Sequence, residues 1–422
     1  MQQIPGAKRR PRRGHSKSRH GCANCKRRRV KCDEIHPVCS NCQRHDLACS
    51  WPQAEAPPAT RTDIPYIMKL VADLNLPSKG CHPGNEQTPT APTPFYQPAP
   101  PTYPDPLPPE ELSRRNLELM HHYSTITAST LSLRQDVAYV WREAIPREGY
   151  KHSFVSNCIL ALAAAHKAYL IPNSGEVYLK LCDYHSMLGS TGFDYEVQNP
   201  TEDNSMALFG FATVLILYRL TLPARSAKQK LEDPVASLLE LAALVRRLRT
   251  TLSPLVSRTY NSDLAPLLYG VWPSETDGRL TGYPPLDNAF LPNDLWDATS
   301  QLRCFQESEV PAESLSHYRD AVDKLEYSAR LISLAGSYAE TGAITAWLHD
   351  VNECILADMA AYKPHALILV AYFCVFLAGI QRNFWYARGW GDQLFEKIEA
   401  SLDGQDRFLQ LLQWPRTYLA LL

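Results

Sequence analysis

Glycine is scarce, with 19 in 422 residues, far below the one-in-three of a collagen-like repeat. No apolar run reaches the roughly 20 residues of a membrane helix, so no membrane span is expected. The opening MQQIPGAKRRPRR is basic with no apolar stretch behind it, which does not read as a secretory signal. Charge of either sign is not in excess either: 43 Lys+Arg against 44 Asp+Glu give a formal net charge of −1. With 45% hydrophobic residues, the chain is too apolar and too near neutrality to be disordered throughout. Its length allows two or three domains with a sizeable core. Taken as an average, the charge argues against nucleic acid as a partner.

The distribution reverses that inference. Residues 1–50 hold 13 Lys/Arg and three acids, net +10, and the remainder holds 30 basic and 41 acidic groups, net −11. Six of the twelve cysteines lie between positions 22 and 49, while the others are scattered singly. A disulfide framework would spread through a small secreted domain. A compact, basic, Cys-dense head before a large, mildly acidic body is an intracellular pattern.

Residues 1–20 are polar and aperiodic and read as a flexible basic arm; 21–52 hold the cysteines. Of the 33 prolines, 16 fall in 51–109, so 53–109 reads as an extended linker without a packed core. Within it, 64–76 (IPYIMKLVADLNL) has the pattern of a short amphipathic helix, a possible dimerisation element of under two heptads. From 110 to 422 the periodicity is helical, and the region reads as one large all-α regulatory domain. The stretch 152–171 places Val155, Cys158, Ile159, Leu162, Ala165 and Tyr169 on one face and stops at Pro172. In 314–335, Leu315, Tyr318, Val322, Leu325, Ala329 and Ile332 form a stripe that suits a core-facing helix or a dimer seam. Residues 206–218 and 366–380 are apolar all round, as buried central helices are, and the second is short for a membrane span. Seven prolines between 223 and 310 predict short helices or long loops there.

The cysteines are spaced Cys22-x2-Cys25-x6-Cys32-x6-Cys39-x2-Cys42-x6-Cys49, two copies of C-x2-C-x6-C. Tetrahedral zinc takes four sulfur ligands. Two zinc ions would take eight and six are present, so two thiolates must be shared in a binuclear cluster. A mixed site using His15, His20, His36 or His45 is conceivable, but six cysteines already satisfy the geometry. An iron–sulfur cluster leaves the repeat unexplained, and a redox C-x2-C lacks its βαβ context. With almost no apolar core, the segment should fold when metal binds.

This motif resembles the fungal C6 zinc cluster family of transcription factors and matches it at every cysteine. The resemblance implies a nuclear, DNA-binding regulator of RNA polymerase II transcription with two zinc ions, in which Cys22 and Cys39 bridge the metals. It also implies a structural role for Pro37, at the family's loop proline. The six residues after each C-x2-C differ sharply: Lys26-Arg27-Arg28-Arg29-Val30-Lys31 holds five cations, Gln43-Arg44-His45-Asp46-Leu47-Ala48 one Arg and one acid. Five packed cations repel one another without an anion, which makes the first segment the one that enters the groove of double-stranded DNA. Arg and Lys can donate to guanine O6 and N7. The resemblance places the base-reading contact to a CGG-like triplet at Arg29, where many relatives have Lys, with Arg28 a second candidate. Lys26, Arg27, Lys31 and Arg44 are then expected on phosphates. The run Lys8, Arg9, Arg10, Arg12 and Arg13 suits nuclear import or an arm along the DNA.

The body lacks G-x-S-x-G, a Walker loop, G-x-G-x-x-G and H-E-x-x-H, so an enzyme targeted to DNA by its head is not expected. Adjacent His121 and His122 point about 100° apart on a helix and make a poor metal pair. Trp385, Trp390 and Trp414 with Phe384 and Tyr386 read as core, and Gly389-Trp390-Gly391 as a turn. Residues 391–412 interleave acids with Leu, Phe and Ile, as an activation segment or a surface amphipathic helix does. LELMHHYSTITASTL (117–131), YRDAVDKLE (318–326), KPHALILVAYFCVFL (363–377) and QWP (413–415) make the body similar to the regulatory domain of the sterol uptake control branch. That resemblance implies an apolar pocket for a sterol or other apolar ligand, lined by 206–222 and 366–380, and control of sterol genes or another metabolic pathway.

Overall fold

The computed structural model describes residues 22–28, 30, 32–33, 39–45, 47, 106–173, 175–225, 230–269, 282–287 and 289–420. The chain divides into two units, Met1–Met68 and Lys69–Leu422. The arm with Lys8, Arg9, Arg10, Arg12 and Arg13, the helix expected at 64–76, and Arg29, Lys31, Pro37 and Cys49 lie outside the described residues. Among the described residues the secondary structure is helical, without a strand.

Among its described residues the head has two short helices, α1 (Ala23–Arg28) and α2 (Ser40–Arg44). The principal helices of the body are α3 (Pro109–Thr125), α4 (Ser153–Leu170), α5 (Glu176–Glu196), α6 (Glu202–Leu220), α7 (Pro234–Leu252), α8 (Leu295–Glu309) and α9 (Ala312–Ala335). They continue as α10 (Thr341–Asp350), α11 (Glu353–Ala360), α12 (Pro364–Gln381), α13 (Trp390–Ser401) and α14 (Gln413–Leu419). Several start where the chemistry of a helix N-terminus is met. Thr201 and Asn204 form a reciprocal capping box at α6. At α7, Asp233 accepts from the N–H groups of Val235 and Ala236 at 3.0 and 3.1 Å.

The prolines of 223–310 act only in part as the sequence suggests: Pro254 and Pro266 lie in helices of three and four residues and Pro284 and Pro285 lie outside helices, as expected, but two others accompany long helices. Pro234 opens the 19-residue α7 at its first position, where a missing N–H is harmless, and α8 runs 15 residues beyond Pro292. Pro109 and Pro364 open α3 and α12 in the same way.

The all-apolar segments are central, as expected. Every residue from Ala366 to Ile380 is buried, packed by α9, α10, α11, α13 and α14. At 18 residues, α12 has the length and composition of a span, which corrects the expectation that it is too short; its sides are covered by the body itself. Tyr318, Val322, Leu325, Ala329 and Ile332 of α9 are buried in the same core, so this stripe faces inward. The acidic–apolar segment 391–412 likewise buries Leu394, Phe395, Ile398, Phe408 and Leu412. Its helices are amphipathic and docked, not a free activation segment.

Indole N–H groups pin the aromatic C-terminal region to the rest. Trp390 Nε1 donates to Leu220 O at 2.7 Å, Trp347 Nε1 to Ala321 O at 3.1 Å, and Trp385 Nε1 to Thr130 Oγ1 at 2.9 Å. Gly389 has φ +86°, the left-handed turn that admits α13.

Two glycines report on packing against α12 and α6. A Cβ at Gly379 would lie 2.7 Å from Phe290 O, whereas one at Gly210 would meet Ile145 and Leu264 at 3.7 and 3.8 Å, ordinary contact. Gly379→Ala should therefore cost about 1–3 kcal/mol, and Gly210→Ala should be neutral or stabilise by up to about 1 kcal/mol. Denaturant midpoints at unchanged m-value check both.

Candidate metal and nucleic-acid site

The head is built from a local repeat that the backbone obeys closely. Lys26 N–H donates to Cys22 O at 3.0 Å and Val30 N–H to Cys25 O at 3.1 Å. Seventeen residues on, Gln43 N–H donates to Cys39 O at 3.0 Å and Leu47 N–H to Cys42 O at 3.0 Å. The same offset relates the thiol bonds: Cys25 N–H to Cys22 Sγ and Cys42 N–H to Cys39 Sγ, both 3.4 Å. Each C-x2-C thus turns into a helix whose first N–H groups point at sulfur, an arrangement that favours thiolate.

Five of the six cysteines are described, and all five are buried at 2% exposure or less. Cys22 Sγ lies 3.7 Å from Cys39 Sγ and 3.6 Å from Cys42 Sγ, and Cys25 Sγ lies 3.6 Å from Cys39 Sγ. Sulfurs around a tetrahedral zinc with bonds of about 2.3 Å stand about 3.8 Å apart, so the donor set fits the metal. The contacts also cross between halves: Cys22 of the first meets Cys42 of the second, and Cys39 of the second meets Cys25 of the first. Cys32 belongs to the same cluster, its Sγ accepting from Cys22 N–H at 3.5 Å. Burial would raise the Cys22, Cys25 and Cys39 thiols. At Cys22 it is outweighed by the Cys25 N–H and neighbouring thiols, and at Cys39 by the Cys42 N–H and neighbouring thiols, so both are held low. Burial and the Cys22 and Cys39 thiols push Cys25 up.

Asp33 is a site residue that the sequence reading missed. Its carboxylate accepts from Ser40 N–H at 3.1 and 3.3 Å. An anion at the start of α2 ties the end of the first half to the beginning of the second. The available signal was an acid directly after the third cysteine, seven residues before a helix.

Lys26, Arg27, Arg28 and Arg44 are exposed, with Arg27 Nη2 donating to Asn24 Oδ1 at 2.6 Å. Two halves alike in their backbone hydrogen bonds therefore present different surfaces: three consecutive cations on α1, against Gln43, Arg44 and His45 at the equivalent positions.

His122, His166 and His185 of the body are core groups. His122 and His166 pack at 5.1 Å and are both lowered chiefly by burial. His166 Nδ1 bonds Thr127 Oγ1 at 2.9 Å, and His185 bonds Asn157 and Asn116. A cavity of ≈ 160 Å³ is lined by Phe209, Thr213, Ile216 and Leu217 of α6, as expected of 206–222, but by no residue of 366–380. That is below the roughly 300–1,000 Å³ of drug-sized ligand sites, and it is too small for a four-ring sterol.

Residues 20–57 match the fungal Zn(2)-Cys(6) binuclear cluster domain. A Zn(2)-C6 fungal-type transcription factor of Gibberella zeae is 24% identical over 96% of this chain and 86% of its own length. The transcription factor afumD of Aspergillus fumigatus is 29% identical over 39% of this chain and 36% of its own. Sterol uptake control protein 2 of Candida albicans is 58% identical, but over 40 residues, 10% of this chain and 6% of that protein. The similarity to sterol regulators is thus short, and the long similarity is to a fungal zinc-cluster factor.

Zinc should be released in a ratio of two per chain, and chelation should unfold the head and abolish DNA binding; a colorimetric zinc assay with circular dichroism reads both. Asp33→Ala should weaken zinc retention against a competing chelator by roughly 10-fold, the loss typical of a group that orients ligands.

Proposed function

We propose that this chain, a DNA-binding transcription factor of the Zn(2)-C6 fungal type with a two-zinc head, reads a CGG-like site through α1. The observation that carries this is the charge difference between two halves of equivalent backbone. Geometry does not choose between α1 and α2; electrostatics does. Lys26, Arg27 and Arg28 are exposed on α1 and face no compensating carboxylate within their own segment, so phosphates are their natural counter-ions.

Cys22, Cys25, Cys32, Cys39, Cys42 and Cys49 are the proposed ligands of the two zinc ions, with Cys22 and Cys39 shared. The crossing Cys22–Cys42 and Cys25–Cys39 contacts support that sharing. Arg29, aided by Arg28, is proposed to read bases in the major groove, while Lys26, Arg27, Lys31 and Arg44 hold phosphates and set the register. Such a factor works in the nucleus, with Lys8, Arg9, Arg10, Arg12 and Arg13 as its import run and the helical body as the regulatory part, not an enzyme. Control of a metabolic pathway remains the reading of the body. Its sterol-specific form has support in short matches to sterol uptake control proteins alone.

Arg29→Ala should cost roughly 1–3 kcal/mol on the selected site and little on random DNA; equal losses on both would refute base reading. Lys26→Ala should weaken both alike and reduce the salt slope by about one. Selecting sites from random DNA with the full-length chain supplies the target, and paired half-sites at a fixed spacing would identify a homodimer.

A further inference from the structure

The two halves of the head differ in charge, and what they share is as informative. Residues 22–32 (CANCKRRRVKC) and 39–49 (CSNCQRHDLAC) coincide at their three cysteines and at two further positions, Asn24 with Asn41 and Arg27 with Arg44. The metal accounts for the cysteines. It does not account for an Asn and an Arg three residues apart, the same distance in each half. On α1 the two side chains touch: Arg27 Nη2 donates to Asn24 Oδ1 at 2.6 Å. Residues three apart lie on one face of a helix. A guanidinium has five N–H donors and no acceptor, so the amide oxygen is the atom that must face it.

The residue type at position 24 separates two roles for this contact. If it served the helix alone, an acid would serve better, because a carboxylate forms an ion pair with Arg three residues on and also suits the positive end of the helix dipole. Yet α1 has no acid in its first turn. A carboxylate would also cancel the charge of Arg27. The neutral amide fixes the direction of the guanidinium and leaves its full charge for another anion. Asn24 is half-buried while Arg27 is exposed, so the acceptor sits on the scaffold and the cation faces solvent. One bond to Asn24 leaves the remaining donors of the fork for a second acceptor. We propose that Asn24 is a positioning residue, which holds the Arg27 guanidinium ready for a phosphate of the DNA backbone. The proposal rests on the reading that α1 meets DNA, and it adds how one of the cations is held there. Phosphate contacts set register and carry no base information, which suits a pair that both halves retain while their other cations diverge.

The test measures affinity of the zinc-loaded full-length chain for the selected site and for a random-sequence duplex at several salt concentrations, with zinc content assayed alongside. Arg27→Ala should weaken binding to both duplexes by roughly 10-fold and reduce the salt slope by about one. Asn24→Ala should weaken both by roughly 3-fold, the cost of ordering one long side chain on binding, with two zinc ions per chain retained. Added to Arg27→Ala, it should cause no further loss. Asn24→Asp keeps an acceptor but supplies a competing charge, so it should not restore binding and should lower the salt slope. Rescue by Asn24→Asp, loss of zinc from Asn24→Ala, or an undiminished Asn24→Ala effect in the Arg27→Ala background would make Asn24 a support of the helix or the cluster and overturn the proposal. Weak binding by Arg27→Ala with normal binding by Asn24→Ala would overturn the positioning role and leave the reading of α1 standing. Normal binding by Arg27→Ala would remove the phosphate contact itself, and the proposal with it.

Discussion

The head depends on sulfur converging on metal. Among its described residues, the buried ones are five cysteines, and its larger apolar side chains, Val30 and Leu47, are 42% and 39% exposed. Among these residues there is no hydrocarbon core to offset the loss of chain entropy. Thiols crowded to 3.6–3.7 Å would repel once ionised unless cations sit among them. The repeat of backbone bonds, the N–H groups aimed at Cys22 and Cys39, and the Asp33 cap on α2 all act to hold that sulfur arrangement in one geometry.

A scaffold held in this way leaves its surface free to vary. The two halves share a backbone pattern, yet one carries consecutive cations and the other does not, so a symmetric support presents an asymmetric face. The +10 of residues 1–50 stands against the −11 of the remainder, so a polyanion is attracted to the head and repelled by the rest. The net charge of the whole conceals this division. The body obeys different physics: its stability comes from α12, buried through fifteen consecutive residues, and from indole N–H groups that cross-link helices distant in sequence.

Much of this was legible in the sequence, for identifiable reasons. Ligand spacing is a local property, so the cysteine cluster could be read directly. The stripes of α4 and α9 and the all-apolar runs of α6 and α12 follow from helical periodicity. Pro234 was misread because proline both ends and opens helices; there the preceding Asp233 decides for opening. The segment 391–412 was ambiguous, because whether an amphipathic face is free or docked depends on partners far away in the chain. Asp33 was missed because a capping acid is recognisable only once the helix start is known. The cavity was illegible, being what remains after Leu131–Trp141, α6 and the Glu340 region pack together.

The central claim is that one half of a symmetric zinc scaffold reads DNA because of its charge. It is tested most directly by replacing residues 26–31 with the sequence of residues 43–48 in the full-length chain, then measuring zinc content and affinity for the selected site. The account predicts that two zinc ions per chain are retained and specific binding is lost. Retention of specific binding with both halves carrying the polar sequence would contradict it.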